Sequence, residues 1–245
     1  MPRARARLLG ACLIVAAIVG LLAWRSANGG PRATGPVGLF TTLPILWAES
    51  PDLGAALNPD AEQHWARAIL TRAGPVEPLD VLSDQSLGKV RQLVIAQPRV
   101  LSPAENLALD NWVRGGGRLL LLADPALTEE SAYPISDPRR PQAVVLLSPI
   151  LGRWGLGLRI ADGQALGEAR REVMGVEVPV NLPGHFVTEG QGNCRLWSDG
   201  LAVTCAIGKG RVVALADAAV LEREDSGGAR AKALTWLLDA AFVGR

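Results

Sequence analysis

The sequence holds few of the residues from which common catalytic and metal sites are built. Its 245 residues include 2 histidines and 3 cysteines. Neither histidine lies in a His-Glu-x-x-His pattern or a Cys/His cluster, so a zinc site has no support. There is no Gly-x-Ser-x-Gly elbow, the turn that carries the nucleophile of α/β-hydrolases. No residue stands out as an activated nucleophile, and we expect neither a metal nor a cofactor.

The sequence also lacks an excess of charge of either sign. Lys and Arg number 25, Asp and Glu number 24, and the net charge is +1. Proteins that bind nucleic acid usually show a basic patch or a high isoelectric point. The charge balance therefore gives no case for a nucleic-acid partner.

The amino terminus differs from the rest of the chain. Arg3, Arg5 and Arg7 precede an uncharged apolar run over residues 8–24, which as a helix would extend about 26 Å, at the short end for a bilayer span. A cleaved signal peptide, the alternative, has a shorter apolar run and small residues before its cut site. We favour an uncleaved anchor, with the arginines in the cytoplasm.

This interpretation gives the chain three parts. Residues 1–30 are a cytoplasmic tip and transmembrane anchor, residues 31–36 are a glycine- and proline-rich linker, and residues 37–245 form an extracytoplasmic domain. The predicted location is the inner (cytoplasmic) membrane, with a single span and a periplasmic carboxyl-terminal domain.

The segment from residue 92 to 125 predicts the fold class. Two near-continuous apolar runs, Gln92–Ala96 and Arg118–Ala123, are typical of parallel strands buried on both faces. Between them, Ser102-Pro103-Ala104-Glu105 forms a capping box, and Ala104, Leu107, Ala108, Leu109, Trp112 and Val113 give a predicted inward stripe on the helix. Glycines 115–117 follow the helix rather than precede it, which excludes a phosphate-binding turn.

Other segments extend this pattern. Asn58-Pro59 predicts the start of a helix through Ala73, residues 211–216 predict another buried strand, and a last helix reaches Val243. The predicted fold is therefore α/β, with a mostly parallel sheet flanked by helices. Residues 168–207 predict a β-rich insertion.

Within that insertion, residues 194–205 predict a hairpin with a two-residue turn at Asp199-Gly200. This register places Cys194 opposite Cys205, and outside the cytoplasm we expect a disulfide between them. The pair would lie on a hydrogen-bonded rung, which is wide for a disulfide unless a bulge or a longer loop relieves it. The alternative is two reduced cysteines in the core.

Polar residues follow the buried strands where the carboxyl edge of a parallel sheet forms a ligand crevice. Asp124 and Asp217 end two apolar strands in the same Leu-Ala-Asp phrase, Gln97 and Arg99 end a third, and a long loop brings Asp137, Arg139 and Arg140. Together these side chains would suit a polar ligand or a partner's charged loop. The interpretation we favour is that each aspartate caps the following turn and pairs with an arginine.

Two motifs carry a resemblance to a known family. Leu101-Ser-Pro-Ala-Glu105 and Gly116-Gly-Arg-Leu-Leu-Leu-Leu-Ala-Asp-Pro125, with GKGRVVALADAAVL much later, resemble the GldG-like ABC-transporter auxiliary family. The resemblance implies an extracytoplasmic domain similar in fold to class I glutamine amidotransferases, acting beside a permease and an ATPase. The amidotransferase nucleophile is a cysteine on an elbow, and the matching turn, Asp124-Pro125-Ala126, has none, so glutaminase activity is not implied.

Three functions follow as hypotheses. The first is a non-enzymatic, membrane-anchored accessory domain that binds or scaffolds the ABC permease and ATPase subunits. The second is an extracytoplasmic hydrolase with Asp124 and Asp217 as acid and base, which requires both carboxylates to face one open cleft. The third is a receptor for a small ligand that feeds the transporter.

Overall fold

Apolar strands stacked in parallel form the centre of the structure, a computed structural model that describes residues 35–49, 63–223 and 228–244. The chain divides into two units, Met1–Thr34 and Gly35–Arg245, and all described residues belong to the second. The predicted anchor at residues 8–24 lies outside the described residues. Within the described ranges, no helix is both long and apolar enough to cross a membrane.

The main sheet has seven strands, of which the first five in spatial order run parallel to one another. In spatial order they are β2 (Val76–Pro78), β1 (Val37–Thr41), β3 (Gln92–Ala96), β4 (Arg118–Leu122), β11 (Gly210–Leu215), β10 (Ala202–Ile207) and β9 (Cys194–Trp197). The last two strands add to the sheet antiparallel. The prediction of a mostly parallel α/β sheet is thus confirmed, and β2, which contains Pro78, lies at an edge as its proline requires.

Helices cover both faces of this sheet. Helices α1 (Trp65–Ala73) and α5 (Ala229–Phe242) pack on one face, and α2 (Asp84–Leu87), α3 (Pro103–Arg114) and α4 (Ser148–Arg153) pack on the other. A short 3-10 turn, Ala219–Leu221, follows β11. Alternate residues of β4 serve the two layers, since Leu120 and Leu122 face α1 and α5 while Leu119 and Leu121 face the opposite side. Strands buried on both faces explain the continuous apolar runs.

Helix α3 begins as its sequence predicts. Ser102 Oγ accepts from the Glu105 amide at 3.2 Å, and the Ser102 amide donates to Glu105 Oε2 at 2.9 Å. The predicted inward stripe is only partly correct. Ala108, Leu109 and Val113 are buried, whereas Ala104 is exposed and Leu107 is 50% exposed.

The reason is a polar contact on the buried side of α3. Asp110 is 1% exposed, and its carboxylate accepts hydrogen bonds from Arg114, Arg153 and the Trp154 indole at 2.7 to 3.0 Å. Helix α4 supplies Arg153, and Trp154 follows it directly, so α4 packs against the Asp110 side of α3. The amphipathic pattern alone cannot predict this rotation, because it counts Asp110 as a solvent-facing residue.

Helix α1 starts later than its sequence predicts. His64 is the N-cap residue, and its Nδ1 accepts from the Ala66 amide at 3.2 Å. Its Nε2 contacts the Leu221 carbonyl at 2.9 Å. Residues 63 and 64 are not helical, so the predicted helix from Asn58 is wrong at that point, and its first residues lie outside the described ranges.

The β-rich segment contains two small antiparallel sheets beside the main one. They pair β5 (Leu156–Ile160) with β8 (Gly184–Thr188), and β6 (Ala169–Val173) with β7 (Val176–Val180). The β6–β7 hairpin packs its valines into the same core as α5. The hairpin is therefore fixed to the main domain by apolar contacts.

The hairpin of β9 and β10 carries the predicted disulfide, Cys194–Cys205. The register is as predicted, but the loop between the paired Trp197 and Ala202 has four residues rather than two. Ser198 and Asp199 adopt left-handed φ angles of 51° and 55°. The longer loop moves the cysteines to a non-hydrogen-bonded rung, and their Cα atoms are 4.1 Å apart, within the short separation of such a rung.

Candidate functional site

Gln97 lies at the carboxyl end of β3 and is fully buried. Its side chain brackets Asp124: Nε2 donates to the Asp124 carbonyl at 3.1 Å, and Oε1 accepts from the Asp124 amide at 3.0 Å. Nε2 also donates to the Gln142 carbonyl at 2.7 Å. The residue has a left-handed φ of 41°. Gln97 therefore joins the ends of β3 and β4 to the long loop, instead of facing a ligand.

Asp124 follows β4 and is 1% exposed. Its Oδ1 accepts from the Ala126 amide at 2.7 Å, and its Oδ2 accepts from the Ala218 amide at 3.2 Å. The first bond closes the turn after β4. The second reaches the turn after the neighbouring strand β11, so the carboxylate links the two strand ends.

Asp217 follows β11 and is fully buried. Its Oδ1 accepts from the Ala219 amide at 2.5 Å, and its Oδ2 accepts from the Asn181 amide at 2.9 Å. Asn181 comes directly after β7, so this carboxylate fixes the β6–β7 hairpin to the end of the sheet. Both aspartates have the turn-capping role that the sequence left open.

The two carboxylates also lie side by side. Strands β4 and β11 are neighbours in a register that pairs Leu122 with Leu215, and each aspartate follows two residues later. Burial raises the pKa of Asp124 to about 6, with its backbone hydrogen bonds opposing the rise. Burial, and then the charge of Asp124, raise the pKa of Asp217 well above its usual range. The sheet edge thus buries a pair of carboxylates that resist double ionisation.

Arg99 does not join this pair. Its guanidinium forms two bonds to the Glu105 carboxylate, at 2.7 and 3.0 Å, and lies 5.0 Å from the centre of the Phe40 ring. It also donates to the Asp80 carbonyl at 2.6 Å. The hydrogen bond from Arg99 lowers the pKa of Glu105 to about 2. Arg99 therefore fastens the loop after β3 to the start of α3.

The charged residues of the long loop bind within that loop. Arg139 pairs with Asp137 at 2.7 Å and stacks 4.3 Å from the centre of the Tyr133 ring. Arg140 donates to the Tyr133 carbonyl at 2.6 Å. The side-chain hydrogen bond from Arg139 lowers the pKa of Asp137 to about 2. Gln97, Asp124 and Asp217 thus lie together at the strand ends, whereas Arg99, Asp137, Arg139 and Arg140 have other partners.

An open cleft of about 580 Å³ lies just beyond the buried aspartates. Its walls come from segments that follow the carboxyl ends of β1, β4 and β11, together with the end of β7. The lining residues are Glu49, Thr128, Glu129, Glu130, Ser131, Ala132, Asn181, Glu222 and Arg223. This is the place where open α/β sheets bind ligands. Four glutamates and one arginine give the cleft a negative lining.

Hydrogen bonds between distant segments hold the cleft walls. Glu49, after β1, accepts from Ser131 Oγ at 2.9 Å and from the Ala132 amide at 2.7 Å. Glu222, after the 3-10 turn, accepts from Thr128 Oγ1 at 3.2 Å and pairs with the buried Arg230 of α5. These contacts set the positions of the walls.

Glu129 is a cleft carboxyl whose pKa is shifted. Burial and the charge of Glu222 raise its pKa, while Arg223 opposes the rise. The sequence hypothesis did not include Glu129 or Glu222, although each lies five residues beyond a predicted aspartate. That common offset from the strand ends was the signal that could have found them.

The described residues contain no group of three or more His, Cys, Asp or Glu side chains suited to a metal ion. A second groove of about 450 Å³ lies between the two small sheets and the β9–β10 loop. Its lining includes Arg171, Glu172, His185, Ser198 and Asp199. It lies away from the strand ends, so the larger cleft is the principal candidate site.

Comparisons with known proteins bear on the fold. No protein-family model matches the sequence, and no curated protein matches it significantly. The mmIFT52 N-terminal domain has a TM-score of 0.53 at 10% identity, over 83% of this chain and 97% of that domain. Exo-beta-1,4-mannosidase Op5Man5 from Opitutaceae bacterium strain TAV5 has a TM-score of 0.42 at 18% identity, over 84% of this chain.

The mannosidase is much the longer protein, because the match spans only 34% of its length. Cytoplasmic Protein STM3548 from Salmonella typhimurium has a TM-score of 0.46 at 11% identity, over 83% of this chain and 97% of that protein. Both scores are too low to support an argument. The chain is therefore similar in fold to the mmIFT52 N-terminal domain, and fold similarity alone carries no activity.

Proposed function

We propose that the chain is a non-enzymatic, membrane-anchored accessory domain of an ABC-type transport system, which binds a partner subunit through the cleft beyond β4 and β11. The observation that carries this proposal is that buried carboxylates and an open polar cleft occupy separate places at the sheet edge. Asp124 and Asp217 are buried and bound to backbone amides, while the open cleft beside them is polar and built from four separate segments.

This geometry disfavours the paired-acid hydrolase. An acid and base that cleave a substrate must reach it from an open cleft, but neither carboxylate of the pair is accessible to solvent beyond 1%. A binding cleft needs only fixed walls and exposed polar groups. Glu130 is exposed on the cleft wall, where a basic segment of a partner can reach it.

The disulfide supports the location proposed with this function. Disulfides persist in oxidising compartments such as the periplasm, and Cys194 and Cys205 form one in the folded domain. The arginines before residues 8–24 favour a cytoplasmic amino terminus. The GldG-like motifs in residues 101–105 and 116–125 support the same assignment, because that resemblance implies an accessory protein outside the cytoplasm.

Co-purification tests the function. The full chain, tagged and extracted in a mild detergent, should recover a permease and an ATPase. Glu130→Lys should reduce that recovery by about tenfold, because like charges across an interface disfavour binding. Asp162→Lys is the matched control, since Asp162 is exposed and outside the cleft. Recovery of the chain alone, or equal recovery by both variants, would count against the proposal.

A small-ligand receptor is the second candidate, because a cleft of about 580 Å³ has the size of a ligand pocket. A ligand at about a hundredfold excess over its Kd stabilises the native state by about 2.7 kcal/mol. A thermal-shift screen of metabolites against the full chain distinguishes the two functions. A stabilising metabolite whose effect is lost in Glu130→Lys would favour the receptor.

A further inference from the structure

The buried aspartates connect three segments that form the cleft. Through the amides described above, Asp124 fixes the loop after β4 and the turn after β11, and Asp217 fixes that same turn and Asn181. The loop after β4 continues into cleft residues 128–132, and the turn after β11 continues into Glu222 and Arg223. The pair therefore stands at the base of most of the cleft.

Titratable and charged groups lie on the segments that surround the pair. Glu222 acts on both carboxylates and disfavours their ionisation. Glu222 forms an ion pair with Arg230 of α5, and Arg230 also pairs with Glu168 at 2.7 Å. Glu129 lies in the loop after β4, and His64 of the α1 cap contacts the Leu221 carbonyl. The charges acting on the pair are thus mainly negative.

Ionisation of both aspartates has a mechanical consequence. Two carboxylates at neighbouring strand ends repel each other when both are charged, and burial prevents water from screening them. A proton held by the pair removes one charge and permits the close arrangement. When the proton passes to water, the repulsion acts directly on the turns that the carboxylates cap.

We propose that the Asp124–Asp217 pair is a proton-dependent latch: with a proton bound, it holds the three cleft segments together, and loss of the proton loosens them. The latch makes the shape of the cleft, and hence partner binding, depend on the pH outside the cytoplasm. Its role in binding rests on the proposed function, whereas its motion does not require any ligand.

Hydrogen exchange of the full chain in mild detergent tests the latch. After correction for intrinsic exchange rates, peptides that contain the amides of Ala126, Asn181, Ala218 and Ala219 should lose about tenfold protection between about pH 5.5 and pH 8, as a one-unit pKa shift corresponds to tenfold. Asp217→Asn should weaken this pH dependence, because asparagine stays neutral and the repulsion between the two charges is removed.

Asp162→Asn, at an exposed position, should keep the wild-type profile. Equal protection at both pH values in the wild type, or an unchanged profile in Asp217→Asn, would overturn the proposal. Carboxyl ¹³C NMR of the wild type provides a test that needs no variant. At least one aspartate must titrate above about pH 5, and the absence of such a titration would also overturn the proposal. Failure of the latch leaves co-purification unaffected, so the two proposals fail separately.

Discussion

The pH dependence of stability is the sharpest consequence of the buried pair. The pKa of Asp124 rises from 3.8 to about 6 in the folded chain. A carboxyl with a raised folded pKa stabilises the fold fully below its unfolded pKa, and this contribution is lost as pH rises through the folded pKa. The fold should therefore lose stability as pH rises from about 4 to about 6 and slightly beyond.

The magnitude follows from linkage. Over the interval from about pH 5 to pH 7.5, a shift of this size removes about 1 kcal/mol from the free energy of unfolding. Asp217 acts in the same direction. Glu105, with its pKa lowered to about 2, contributes a constant amount in this interval. His64 acts in the opposite direction, because burial lowers its pKa and favours the neutral ring.

Comparison with Asp124→Asn removes the contributions of Glu105 and His64. The assay is urea unfolding of the full chain in mild detergent, followed by the fluorescence of its 7 tryptophans. The difference in unfolding free energy, wild type minus variant, should fall by about 1 kcal/mol between about pH 5 and pH 7.5. A constant difference, or one that grows with pH, would refute the assignment of a raised pKa to Asp124.

Three further predictions concern stability. Asp110→Ala should lower the free energy of unfolding by about 3 kcal/mol or more, because it leaves two arginines and a buried indole without their acceptor; a loss below about 1 kcal/mol in urea unfolding would contradict this. Changing Cys194 and Cys205 together to alanine should cost about 2 to 4 kcal/mol, measured against the oxidised wild type, and equal midpoints would show the bond to be absent. Gly210→Ala should destabilise the chain strongly, since its Cβ would collide with the Val113 carbonyl, whereas the Cβ added by Gly152→Ala meets nothing within 4 Å and this variant should be neutral or stabilising. Similar Tm values for the two variants would exclude the collision.

Local sequence patterns were sufficient for most of the main sheet. The runs in β3, β4 and β11 are apolar at nearly every position, which is typical of strands buried on both faces. The start of α3 was predictable because Ser102 and Glu105 satisfy each other's amides within four residues. Each of these features depends on neighbours in sequence.

Features that depend on distant contacts were not predictable in the same way. The orientation of α3 depends on Asp110 meeting Arg153 and Trp154, more than 40 residues away. The cleft depends on Glu49 meeting Ser131, which is 82 residues away. The hairpin is an intermediate case. Its register followed from the sequence, but its four-residue loop did not. Ser198 and Asp199 adopt left-handed φ angles, and serine and aspartate indicate such a position less strongly than glycine does.

The burial of Asp124 and Asp217 explains why other carboxylates line the cleft at this edge of the sheet. A carboxylate at the end of a buried strand either faces the crevice or caps the turn, and both oxygens of Asp124 and of Asp217 are used by amides. The chain then continues to Glu129 and Glu222, five residues beyond each aspartate, where it lines the cleft. Since the capped turns position those glutamates, the proposed latch would act on the cleft through them. The capping role and the proposed binding role therefore depend on the same edge of the sheet.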